Sequence, residues 1–159
     1  MATPLFMRNV HLTLKLTAGS RIQFNCDAKV AEIVSEAGDE VEYKTLCATG
    51  SFKQVGVTTY ALHLVAMQDW ATNGLARFLW DNDGASAEFQ YSASSTIPPT
   101  TAAPGMSGFV TLVAPNYGGE VETYAELDVT LPCTAKPTIV TAAFPVLAEE
   151  EAPAEGAAA

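Results

Sequence analysis

Basic residues are scarce in this sequence. Eight Lys and Arg stand against eighteen Asp and Glu in 159 residues, a formal net charge of −10. A reader of DNA or RNA sequence needs a basic footprint for the phosphates, and a protein that docks on an anionic membrane needs one for the headgroups. Neither class is expected here. Part of such a charge serves solubility in any protein. Cysteine is also sparse: Cys26, Cys47 and Cys133 are odd in number, widely spread and form no CxxC pair. That argues against a zinc site or a redox motif, and for buried or tolerated thiols in a reducing cytoplasm. No stretch approaches the roughly 18 apolar residues of a membrane-spanning helix. The opening "MATPLFMRNV" has no basic region followed by an apolar run, so no signal peptide is expected. A soluble, cytoplasmically made protein with no membrane partner is the expectation.

Catalytic motifs are missing as well. His11 and His63 fall on different expected strands, with no HxH or HExxH spacing, and read as structural or surface residues. "GMSGF" (105–109) places Ser107 among glycines but is not G-x-S-x-G, and no helix follows it. "DNDGASAE" (81–88) offers Asp81, Asp83 and Glu88 as oxygen ligands, yet the D-x-D-x-D-G order of a calcium loop fails. A charged helix cap and turn is the plainer reading. Trp70 and Trp80 could stack on a sugar, but both flank a helix and suit packing. No Gly-rich loop with a Lys cradles phosphate. No enzyme, cofactor or metal site is expected.

What is present is alternation. "VHLTLKLTA" (10–18) and "SRIQFNCDAKV" (20–30) each read as a strand, joined by a turn at Ala18-Gly19. Residues 38–56 read as a long hairpin or extended loop around Gly50. "VTTYALHLVAM" (57–67) is nearly all apolar and reads as a strand covered on both faces. Leu75, Phe78 and Leu79 recur at helical spacing, with Thr72 as N-cap and Gly84 past the end, so one short helix packs through Leu75, Phe78, Leu79 and Trp80. "ASAEFQYSA" (85–93) is again a strand, and "SSTIPPTTAAPG" (94–105) a Pro-rich loop. "MSGFVTLVAP" follows as a strand that turns at "NYGG" (116–119) into the next. "KPTIVTAAFPV" (136–146) is extended. "LAEEEAPAEGAAA" (147–159), with four glutamates and no aromatic, cannot bury enough apolar area to fold. The sum is mainly β: a β-sandwich or open barrel of about seven strands with one short helix packed on it. The β domain is expected to span 1–147, and 148–159 to form a disordered acidic, Ala-rich tail.

"GGEVETYAELDVTLPC" (118–133) raises a sharper question. Val121, Thr123, Ala125, Leu127, Val129 and Leu131 share one parity; Glu120, Glu122, Glu126 and Asp128 lie on the other. Read as one strand, the segment has an apolar side and an acidic side. Like charges two residues apart, roughly 7 Å, repel by about 0.6 kcal/mol even in water. Such a face either meets a cation or repels something. An acidic face, a long excursion at 38–56 and extended ends together suggest a subunit that repeats. A solvated outer face of a lone sandwich is the alternative.

The helix leading through "NGLARFLWDNDGASAEFQYSA" (73–93) into a strand, the start of the chain and the closing "DVTLPCTAKPTI" (128–139) resemble the major tail tube proteins of long-tailed bacteriophages. The resemblance spans about residues 5–145. It implies a tail-tube-like fold and a virion protein whose hexameric rings stack into a hollow tube, each copy adding strands to a continuous inner barrel. Glu120, Glu122, Glu126 and Asp128 would then line an acidic channel through which DNA passes without specific binding. The 38–56 loop, with Asp39, Glu40, Glu42, Tyr43, Lys44, Phe52 and Lys53, would reach the adjacent ring. The amino terminus and residues 136–147 would be stacking arms that order on assembly. Further copies of the chain, tail-tip, tail-terminator and tape-measure proteins are the partners implied. Two rival readings stand beside it: another ring-forming head–tail joining or tail-terminator protein, or a carbohydrate-binding β-sandwich using Trp70 or Trp80.

Overall fold

Strand β1 (His11–Leu16) opens the fold, and its alternation explains it: Leu12 and Leu14 are fully buried. A turn at 17–19 returns the chain as β2 (Arg21–Gln23), pairing Leu14 with Ile22. The computed structural model describes residues 4, 5, 7, 10–24, 28–94 and 98–144. Then come β3 (Ala28–Glu36), β4 (Glu40–Lys44), β5 (Ser51–Val55) and β6 (Thr59–Met67). Helix α1 (Leu75–Asp81) and strands β7 (Ser86–Ser92), β8 (Gly105–Thr111), β9 (Glu126–Pro132) and β10 (Thr138–Val140) complete the order. One sheet runs β10-β8-β7-β1-β2 and a second β3-β6-β9, while β4 and β5 pair only with each other. All pairings are antiparallel.

The two larger sheets share one core. Leu12, Leu14, Phe89 and Val110 of the first meet Leu62, Leu64, Leu127, Val129 and Leu131 of the second. The sheets also touch through a bridge between Val110 and Cys133, so one side of the sandwich is partly closed. Tyr91 spans the layers and donates its hydroxyl to the Ala31 carbonyl at 2.7 Å. Helix α1 fills one end with Leu75, Ala76, Phe78 and Leu79, all buried, and Phe78 lies 5.4 Å from the Phe24 ring. A mainly β sandwich with one short packed helix is therefore what the chain forms.

Several details differ from the sequence reading. Ten strands form among the described residues, not seven. The expected strand at 20–30 ends at Gln23 and a new one starts at Ala28; Cys26 lies outside the described residues. β6 is covered fully on one face only, where Leu62, Leu64 and Ala66 are buried, while Ala61, His63 and Val65 are half-buried. Gly74, not Thr72, is the N-cap of α1, and no side chain caps it. Gly84 follows the helix with a φ of 81°, a conformation glycine adopts at no steric cost. Trp80 is 51% exposed, so it does not pack the helix onto the core as Leu75, Phe78 and Leu79 do.

Residues 136–144 are not a free arm either. β10 pairs with β8, and Phe144 stacks on His11 with ring centroids 5.6 Å apart. A side chain in place of Gly105 would meet Phe144 at 2.6 Å and Pro99 at 3.1 Å. The closing segment and the Pro-rich loop thus lie over the outer face of the five-stranded sheet. Ser92, paired with Gly105, is buried there, and Thr13 and Gln90 are buried on the same face. The rest of the expected arm, 145–147, and the acidic tail, 148–159, lie outside the described residues.

Candidate functional site

The three-stranded sheet has an inner face in the core and an outer face that no element of the described residues covers. Alternation on β9 buries Leu127, Val129 and Leu131 and exposes Glu126, Asp128 and Thr130. The register places Glu32 and Thr130 on either side of His63, with Asp128 beside Val65 and Glu126 beside Met67. Val30, Val34 and Met67 on this face are between 37% and 49% exposed. His63 Nδ1 lies 2.9 Å from Glu32 Oε1, and Nε2 lies 2.7 Å from Asp128 Oδ1. These hydrogen bonds, first to Glu32 and then to Asp128, hold the His63 pKa above its ordinary value. Lys29, which sits at an irregularity in the β3–β6 register, reaches across to Glu126 at 3.1 Å. Of the four expected acidic residues, Glu126 therefore faces the Lys29 cation and Asp128 faces the His63 ring.

Glu120 and Glu122 do not share that face. β6 ends at Met67 opposite Glu126, so residues before 126 have no strand to pair with. They fold instead into a loop. Gln68 pins it: its Nε2 donates to the carbonyls of Gly118 and Glu126, both at 3.0 Å, and its Oε1 accepts from Gly118 N at 3.0 Å and Trp70 Nε1 at 3.3 Å. Glu122 has a φ of 68°, which no strand residue adopts. The single strand at 118–133 is corrected to β9, beginning at Glu126. Beside the loop, Trp70 meets Trp80 and Tyr117 edge-on, with centroids 5.8 and 5.2 Å apart.

The excursion at 38–56 is a true hairpin. β4 and β5 continue outward from the last β3–β6 pair, Glu36 with Thr59, and every residue of both strands is exposed. Tyr43 faces Phe52, and Val41 faces Gln54, on one side. Glu42 faces Lys53 on the other, where Lys53 also bonds Glu40 at 3.0 Å and Lys44 lies 3.9 Å from Glu42. Asp39 stands at the base, where its carbonyl accepts from Gly56 N at 3.0 Å. A two-stranded ribbon alone is marginal in water, and the aromatic side of this one is exposed, with no described residue packed over it.

The other candidates are scattered. Asp81 is held by Arg77 at 2.7 Å, Asp83 accepts from Ala114 N at 2.9 Å, and Glu88 faces Arg21 at 3.3 Å, so the three do not converge as a calcium loop. Among the described residues no group of three or more His, Cys, Asp or Glu is arranged to hold a metal. Cys47 is exposed near the hairpin tip and Cys133 is half-buried. No helix of the described residues is long and apolar enough to cross a membrane.

The fold, a two-sheet sandwich with one inserted helix and an outlying hairpin, is similar to that of chains in solved tail structures. The SPP1 tail tube structure matches with a TM-score of 0.63 and 14% identity, over 89% of this chain and 81% of that one. A chain of the tail of an empty gene transfer agent (GTA) particle, described with C6 symmetry, matches at 0.57 and 15% identity, over 84% and 96%. A chain of the native GTA virion matches at 0.51 and 18% identity, over 82% and 95%. No family model matches the chain, and no curated protein matches its sequence.

Proposed function

We propose that this chain is a structural subunit of a phage-type tail, and that its copies form stacked rings around a channel that conducts DNA. The observation that carries the reading is the match to assembled tail structures over more than four-fifths of the chain. The C6 symmetry given for the empty GTA tail supports six copies per ring. Among the described residues no strand pairs with the outer edges of β3 and β9 along Ala28–Glu36 and Glu126–Pro132; a neighbour's β9 and β3 can complete them, and closure into a ring removes such edges. The outer face of that sheet, with Glu32, Glu36, Glu126 and Asp128, then becomes the channel wall. Carboxylates there repel phosphate, and their partners Lys29 and His63 limit the repulsion among subunits.

In this arrangement the hairpin, through Asp39, Glu40, Glu42, Tyr43, Lys44, Phe52 and Lys53, is the contact to the adjacent ring. Its aromatic side gains burial that one ring alone does not provide. The location that follows is the virion tail, and the protein's role is mechanical rather than catalytic. Negative-stain imaging of the purified chain at high concentration tests the reading. Hollow tubes are expected. Single closed rings without tubes would instead favour a joining or terminator protein, and a dispersed monomer at all concentrations would contradict the proposal.

A further inference from the structure

The Glu32–His63–Asp128 row contains a constraint that hydrogen-bond chemistry makes explicit. An ionised carboxylate accepts hydrogen bonds and cannot donate. Neutral imidazole has one N–H only, so it can donate to one carboxylate and must turn a lone pair toward the other. His63 has a carboxylate oxygen within 2.9 Å of one ring nitrogen and 2.7 Å of the other. The row is satisfied when the ring carries both protons. Its three members stand on three different strands, β3, β6 and β9, so the bonds run across the whole sheet.

We propose that His63 is a proton-binding tie: as imidazolium it bonds Glu32 on β3 and Asp128 on β9 at once, and on losing a proton it gives up one of those two bonds while the backbone ladders remain. The groups facing it decide the sign. From β3 these are Glu32 and, further along, Glu36 and Lys29; from β9 they are Asp128 and Glu126, the latter paired with Lys29. On β6 itself the neighbours on this face are Ala61 and Val65, which carry no charge. Behind the sheet, Tyr91 donates to the Ala31 carbonyl. The near charges are thus carboxylates, and they favour the protonated ring. Stability from the tie is present in full below the unfolded pKa of about 6.5 and is lost as pH rises through the higher folded value.

His11 works in the opposite sense. Burial and the nearby Arg21 hold its pKa below the ordinary value, so its contribution is lost as pH falls. Above pH ~7.5 His11 is neutral in folded and unfolded chains alike, and the remaining imidazole dependence belongs to His63. Where the sheet lines a channel, a consequence that rests on the proposed assembly, release of the proton also makes each copy's wall one unit more negative.

The test uses the soluble full-length chain below its assembly concentration, so it does not depend on tube formation. The His63 ring is titrated by NMR, with His11→Gln to separate the two signals. The expected midpoint lies above 6.5 in the parent chain and moves down in Glu32→Gln and in Asp128→Asn, furthest in the double variant. In the His11→Gln background the urea midpoint should fall as pH rises above about 6.5, and adding His63→Gln should remove most of that fall. A His63 midpoint at or below 6.5 that neither carboxylate variant moves would overturn the tie. So would an identical urea profile with and without His63.

Discussion

Gly38 and Gly56 cross in backbone contact at the base of the β4–β5 hairpin. A Cβ on Gly38 would stand 2.5 Å from the Gly56 carbonyl carbon and 2.7 Å from the Val57 carbonyl oxygen. Neither neighbour is a flexible side-chain end, so the two chains would have to part. Gly38→Ala is expected to leave the core unchanged, with the unfolding free energy lowered by less than about 1 kcal/mol, because the hairpin stands outside it. Amide exchange in 40–44 and 51–55 should rise at least tenfold. Unchanged protection of those amides would show that the crossing does not hold the ribbon.

Deletion of 42–53 tests what the ribbon is for. The shortened chain should stay folded and soluble, with the same core unfolding transition, and should form no tubes under conditions where the parent does. Tubes of ordinary length, seen by electron microscopy, would remove the hairpin from the inter-ring contact.

Gln68 makes four hydrogen bonds through one amide: two to Gly118 in the 112–125 loop, one to Glu126 and one to Trp70. A net value near 1 kcal/mol for each bond, less what water recovers, puts Gln68→Ala at about 2–3 kcal/mol of lost stability. Urea denaturation followed by tryptophan fluorescence checks this, because Trp70 donates to the same side chain. A loss under about 0.5 kcal/mol would mean that water replaces Gln68 without cost.

The two faces of the three-stranded sheet should respond oppositely to truncation. Leu64 is fully buried, and Leu64→Ala should cost about 2–5 kcal/mol. Val34, 43% exposed on the other face, should tolerate Ala in the isolated chain at a cost below about 1 kcal/mol. Equal costs in thermal unfolding would contradict the assignment of faces.

Cations placed on the outer face test its electrostatic role. Glu36→Lys with Glu126→Lys should leave assembly intact, since exposed pairs contribute little. DNA ejection from particles carrying the variant should slow on the order of tenfold at low salt, and the difference should shrink as salt rises. Ejection at the parent rate would detach these residues from the channel.

Much of the architecture was legible because it follows local period. β1, β7 and β9 alternate so regularly that Leu12, Phe89 and Val129 announce the core side by themselves. The hairpin at 38–56 was readable from its glycines and flanking aromatics. β3 was not, since Val30, Glu32, Val34 and Glu36 mix apolar and acidic residues on one face, and Ala31 and Ile33 alone mark the other. The reading of Glu120 and Glu122 failed for a different reason. Parity continued through them, but a strand needs a partner, and β6 stops at Met67. The His63 clamp had no local signature at all, because positions 32, 63 and 128 meet only through two long-range strand pairings.

The side of the wall on which Asp128 stands is the most direct measurement. A density map of assembled tubes at side-chain detail should place Glu126, Asp128 and His63 on the inner surface, with β3 of one copy beside β9 of the next. A map in which these residues face the exterior, or lie buried between rings, would contradict the account.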